Sequence, residues 1–277
     1  MPTYTLTASQ LYGQGILNSF SIPAGSSFDS DYQAILDKAV SLGYTLPSSN
    51  AQTLQNTLLT SLKTDGIWNK LDIFYVFAVD NNASEFTTIN WKNPNALVNL
   101  PTQSTLINSP TFVPNGGFQG DGASSYIDTN YNPATQGVNY TQNNASRYFF
   151  LHALGTGRFD GNVNGNNSIF LGSSASQRIN AGANTSTPAI SFSGSINPKS
   201  IHRTSSTEVI AYNSTTSQSA TQTSAAITSA NQFIFRSGAS GSANWGDHTC
   251  AAYAMGASMV AENTNFINNW NTYKNSL

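Results

Sequence analysis

Apolar positions fall into two regimes along this chain. Between residues 30 and 66 they recur at helical spacing. Ile35, Leu36, Ala39 and Val40 share one face, Ser30 with Gln33 makes a capping-box start, and Gly43 is the stop. Leu54, Leu58 and Leu62 form a second stripe with Leu59 beside it, opened by Ser49 and Gln52 and closed by Asp65-Gly66. The segment Tyr44 to Ser48 joins them, which predicts a helical hairpin. Beyond residue 66 the period changes. Ile73 to Val79 is apolar and aromatic without a break, as in a strand covered on both faces. Residues 80 to 111 read as loop, with Ile89-Asn90-Trp91 as a short strand.

The stretch Phe112 to Pro133 organises the remainder of the chain. Asn115-Gly116-Gly117 and Gly120-Asp121-Gly122 are turn chemistry, Phe118 between them must point inward, and Tyr126 to Thr129 starts a strand. Further strand-like runs then come at short intervals. They are Arg147 to Leu154, Ser168 to Leu171, Ala189 to Ser193, Ser200 to Thr204, Thr207 to Asn213, Gln218 to Thr223, Gln232 to Arg236 and Thr249 to Met255. Turn residues separate them and no helix intervenes, so the expected fold is mainly β, an antiparallel sandwich or barrel. Phe266, Trp270 and Tyr273 recur at i, i+4, i+7 and predict a short C-terminal helix with a core-facing stripe.

Composition narrows the setting. Only 9% of the 277 residues are charged, well under the usual share, yet the mean hydropathy is −0.26, so the surface is polar through Asn, Ser, Thr, Gln and Gly. Aromatics at 11% argue against disorder. The net charge of −2 without a basic run leaves nucleic acid no electrostatic footprint. No apolar run reaches membrane-span length. The single cysteine, Cys250, sits in an apolar strand as a small buried hydrophobe. Met1 to Leu6 lacks the basic-then-apolar pattern of a secretory leader. The expectation is synthesis in a bacterial cytoplasm and exit as part of a virus particle.

Three segments are expected: an N-terminal anchoring arm over 1–28, a helical hairpin over 29–66 and a β-sandwich over 67–277. The arm carries Leu11, Ile16, Leu17 and Phe20, too apolar for a free tail, and these are the candidate attachment residues.

Gly120-Asp121-Gly122-Ala123-Ser124-Ser125-Tyr126-Ile127, the closing run Ala251 to Met259 and the terminal helix together resemble the concanavalin A-like, or laminin-G-like, jelly roll. The lead-in Leu62 to Asp72, with Gly66, Trp68 and Lys70, is similar to a module that precedes laminin-G-like domains in tailed-phage virion proteins. The resemblance covers roughly residues 30 to 277. It implies a virion part such as a head fibre, capsid decoration or tail fibre, with other virion proteins and sister subunits as partners.

Candidate chemistry is sparse. Glycoside hydrolysis in its usual form needs two opposed carboxylates. The three glutamates, Glu85, Glu208 and Glu262, are scattered over a loop, a strand and a helix start, and Asp121 reads as a turn former, so a non-enzymatic chain is expected. His152, His202 and His248 form no metal-ligand spacing. Asp160, Asn162 and Asn164 alternate in a Gly-rich loop as a weak calcium pattern, set against an ordinary turn; no other cofactor is expected. For glycan binding the candidates are Trp245 and Asp247 in a polar loop, and Tyr140 between Asn139 and Gln142, with buried packing as the competing account of each ring. The function expected is therefore a virion surface protein with host-glycan binding. The alternatives are an adhesin for bacterial surface polysaccharide and, behind it, a glycosidase.

Overall fold

The computed structural model describes residues 28–162, 177–181, 188, 190, 192, 194–238 and 244–277. The anchoring arm, except Phe28, lies outside the described residues, as do the run 168–171 and most of 189–193.

The hairpin forms as α1 (Ser30–Leu42) and α2 (Ser49–Thr64). Each cap sits one residue earlier than the sequence pattern predicts. Asp29 accepts from the Asp31 N–H, and Ser48, itself held by Asp80, accepts from the Ala51 N–H. On α1 the buried face is Tyr32, Ile35, Leu36 and Ala39, while Val40 points out at 63% exposure. Tyr32 replaces it because its hydroxyl has a buried partner, Gln55 of α2.

The strands come next as β1 (Leu71–Val76), β2 (Thr105–Ile107), β3 (Thr111–Val113), β4 (Gly117–Gln119) and β5 (Tyr126–Asp128). After the short α3 (Pro133–Gln136) come β6 (Ala145–Ala153), β7 (Asp160–Gly161), β8 (Lys199–Arg203), β9 (Glu208–Asn213) and β10 (Thr216–Thr221). The chain closes with β11 (Phe233–Ile234), β12 (Arg236–Ser237), β13 (Asn244–Trp245), β14 (Thr249–Gly256) and α4 (Asn263–Ser276). At 89–91 there is a single bridge from Ile89 to Gln103 rather than a strand. Asn90 displaces the ladder there, its side chain accepting from the Phe74 N–H and donating to the Pro101 carbonyl.

All pairings are antiparallel. An eight-stranded sheet runs β10-β9-β8-β6-β14-β4-β3, with β1 also on β14; a four-stranded sheet runs β2-β5-β11-β7; β12 and β13 form a separate ribbon. The unbroken apolar runs are explained by burial on both faces. Phe74, Val76, Tyr148, Phe150, Ala252 and Ala254 face α1, α2 and α4, whereas Ile73, Tyr75, Phe149, Leu151, Tyr253 and Met255 face the smaller sheet. The chain is thus an antiparallel β-sandwich with a helical layer on its outer side. The hairpin shares a core with the large sheet, and Phe28 and Leu277 both pack against that helix-side core.

Buried charged side chains are fixed inside. Asp72 is fully buried and accepts from Tyr131 Oη at 2.7 Å and from the N–H groups of Val138, Asn139 and Tyr140 at 3.1, 2.8 and 3.0 Å. Between the sheets, Arg147 pairs with Asp160, whose Oδ2 also accepts from Tyr253 Oη at 2.7 Å.

Candidate functional site

The sequence candidates separate in space. Tyr140 is 1% exposed and its hydroxyl donates to Asn180 Oδ1 at 2.9 Å. Burial pushes its phenol up, and the ring offers no face to a ligand, so its assignment as a glycan contact is corrected: it is core. Asp160 is likewise no calcium ligand, because it is turned inward onto Arg147 and Tyr253; Asn162 is buried and Asn164 lies outside the described residues. Among the described residues no group of three carboxylate, His or Cys side chains converges as a metal site would. Leu11, Ile16, Leu17 and Phe20 lie outside the described residues. Asp121 is the turn former expected. Burial alone would raise its carboxyl, but the N–H groups of Ser124, Ser125 and Ala123 and the Ser124 hydroxyl hold it well below the ordinary range.

Asp247 is half-buried and Oδ1 accepts from the backbone N–H and the hydroxyl of Thr156, so it braces one loop against another. Next to it, His248 Nδ1 accepts from the Gly155 N–H at 2.9 Å, and burial lowers its ring to about 4. His202 is also buried, which lowers it to about 3, whereas His152 is exposed.

Trp245 remains half-exposed, and around it the structure assembles residues that the chain keeps far apart. On β5, Ile127 is fully buried in the core between the sheets, while Tyr126 and Asp128 alternate with it and stay half-buried, Tyr126 also packing against the margin of that core. Phe233 of β11 pairs with Asp128, and its ring lies 5.2 Å from Tyr126 in an edge contact. Trp245 lies 5.9 Å from Tyr126. The guanidinium of Arg236 sits over all three rings, at 4.7 Å from Tyr126, 5.1 Å from Phe233 and 5.3 Å from Trp245. Arg236 is 8% exposed, its Nε is buried without a hydrogen-bond partner, and it takes part in none of the ion pairs formed among the described residues. Asp128 feels its charge, but the Asp128 oxygens are taken by the Asn130 N–H and by Asn231 Nδ2. Burial raises the Asp128 carboxyl, and those bonds together with Arg236 offset this only in part.

Arg236 reaches this position through a kink. The run 232–236 is not one strand: Phe235 adopts φ 69°, fully buried, and the chain leaves the small sheet there to pair with β13. A left-handed bulky residue costs on the order of 1–3 kcal/mol, and it persists because the surroundings fix it. Phe235 donates its N–H to the Phe159 carbonyl at 2.7 Å and accepts from the Gly246 N–H at 2.9 Å. A Cβ at Gly120 would run into the Gly246 carbonyl and the Phe235 ring, and one at Gly246 into the Arg158 carbonyl. The first glycine of the Gly120-Asp121-Gly122 turn is therefore what lets the kink pack.

Sequence reading finds Trp245 but misses Arg236, Tyr126 and Phe233 as a group. The available signal is Arg236 itself, a charge ending an apolar run in a chain with few charges. Its partners are joined only by pairings across the fold. Beside this face, along the free edge of β2, lies an open polar cleft of about 410 Å³ lined by residues including Tyr44, Glu85, Gln103, Thr105 and Asn130. Thr105 pairs directly with Asp128, so cleft and aromatic face adjoin. On the helix side, a cavity of about 160 Å³ is bounded by Asp31, Trp68, Trp91, Lys92 and Leu97. Burial lowers the Lys92 amine to about 8 against the pull of Asp31 and Asp72.

No protein-family model matches the chain, and no curated protein matches it in sequence. Among solved structures it is similar to domain 4 of an extracellular GH43 arabinanase from Geobacillus stearothermophilus, in complex with arabinotriose, at 12% identity and TM-score 0.38 over 72% of this chain and 98% of that one. It is also similar to a mutant Trypanosoma rangeli sialidase displaying trans-sialidase activity, at 12% identity and TM-score 0.44 over 80% of this chain and 39% of that one. A third is an arabinofuranosidase complexed with arabinofuranosyl-α-1,2-xylobiose, at 12% identity and TM-score 0.31 over 74% and 59%. All three come from glycan-processing enzymes, which overturns the expectation of a non-enzymatic chain. Likeness at this level withdraws that exclusion without assigning an activity.

Proposed function

We propose that this chain is a surface protein of a tailed-phage particle that recognises bacterial surface polysaccharide through the outer face of β5, β11 and the β12–β13 ribbon. The observation that carries the glycan part is the half-exposed pair Tyr126 and Trp245 set around Arg236. Sugar rings present C–H faces that pack on aromatic rings and hydroxyls that need polar partners, and this face offers both side by side. The adjoining cleft supplies further hydroxyl and amide groups, so the face suits an oligosaccharide longer than one unit. The particle setting rests on the resemblance over residues 30 to 277 and on a surface made polar by amides and hydroxyls with few charges, whose stability changes little with salt.

A glycan array probed with the whole chain tests the reading. Binding to a bacterial polysaccharide, weakened at least tenfold in Trp245→Ala and Tyr126→Ala while both variants stay folded, is expected. Unchanged binding by those variants, or no binding at all, overturns it. Release of new reducing ends in the same mixture would show that the bound polymer is also cut. Immunogold labelling of intact particles tests the setting, with label on the particle expected and its absence decisive against display.

A further inference from the structure

The geometry points to a ligand that carries a carboxylate: we infer that the aromatic face selects acidic polysaccharides, of the uronic-acid class, with Arg236 as the residue that reads the acid group. The inference rests on the glycan reading above and narrows it. A guanidinium nine-tenths buried should have an anion against it, because a charge removed from water without compensation is costly. Arg236 has three ring faces and no carboxylate in contact among the described residues. The ring quadrupoles make up part of the lost solvation. They leave the in-plane donors of the guanidinium to bind elsewhere, and a planar fork of N–H donors matches a carboxylate bidentately.

Asp128 offsets the Arg236 charge from a distance but forms no ion pair with it, its oxygens already accepting from Asn130 and Asn231. Packing also holds Arg236 in place. Its backbone is in the ribbon pairing with Trp245, and the left-handed turn at Phe235 sets the direction from which it enters the rings. A ligand carboxylate would meet a donor already oriented, with Tyr126 and Trp245 flanking it for the sugar ring. The net charge of −2 gives the molecule no general attraction for polyanions, so a preference for acid would have to be local.

The test compares polygalacturonate, polymannuronate and polyglucuronate with their carboxyl-reduced counterparts, each titrated against the unmodified chain at one fixed salt concentration. At least one acidic polymer should bind tenfold or more tightly than its reduced form. Arg236→Gln should erase that difference, and Trp245→Ala should weaken both members of the pair alike. Equal binding of an acidic polymer and its reduced form overturns the inference and leaves glycan recognition standing, as does binding confined to neutral glycans. Failure to bind any glycan removes both. The reduced-polymer comparison needs no substitution, so it decides the matter even where Arg236→Gln does not fold.

Discussion

At the scale of single residues, buried ionisable groups set how the fold responds to pH. Burial depresses His202 to about 3 and His248 to about 4, from an ordinary 6.5. In the unfolded chain both take up protons near pH 6.5 while the folded chain resists. Stability is therefore complete above 6.5 and falls as pH drops through 6.5 toward 4. Urea midpoints should decline over that window, and His202→Phe should flatten the decline. Asp72 is the other residue-scale case. Removing it as Asp72→Ala strands three backbone N–H groups and the Tyr131 hydroxyl, and should cost about 3–5 kcal/mol in urea unfolding. The sequence shows why some residues matter and hides others. Asp121 is legible because it acts on its immediate neighbours. Asp72, Phe235 and Arg236 are not, since each depends on partners brought from elsewhere in the chain, and Tyr140 reads as either a ligand ring or a core ring until its bond to Asn180 decides for the core.

At the scale of elements, the segment Lys63 to Asp72 turns out to be a joint. Lys63 pairs with Asp29 and Asp31 at 2.6 and 2.7 Å, Trp68 Nε1 donates to Asp31 at 3.0 Å, Asp65 accepts from Asn269 of α4 at 2.8 Å, and Lys70 pairs with Glu262 at 2.7 Å. This segment thus ties both hairpin helices, the first strand and the last helix together. Leu59→Ala inside the hairpin should lower stability by about 2–5 kcal/mol, and Val40→Ser on its outer face should stay within about 0.5 kcal/mol; denaturant midpoints distinguish them. Helices and long strands are legible in the sequence because their periods are local. The helix caps shift by one residue because Asn56 and Lys63, which hold Asp29, and Asp80, which holds Ser48, act from outside the local pattern, and the run 232–236 is split by a kink that no spacing rule records.

At the scale of the whole molecule, the sandwich is held between its sheets by a charge pair as well as by rings. Asp160→Asn should cost about 3–5 kcal/mol by leaving Arg147 uncompensated, whereas the double change Arg147→Met with Asp160→Leu should cost less than either single change. Calorimetry on the single and double variants checks this. The layer order also gives the molecule a front and a back. Phe28, where the described chain enters, and Leu277 both rest on the helical side, while Tyr126 and Trp245 are half-exposed on the opposite side with Arg236 buried against them. A tether or surface linkage fixed at Leu277 therefore holds the molecule on its helical side and leaves the Tyr126 and Trp245 rings turned away from the point of attachment. On the proposed glycan reading, immobilisation through a tag after Leu277 should preserve polysaccharide binding, and cross-linking across the β12–β13 ribbon should abolish it.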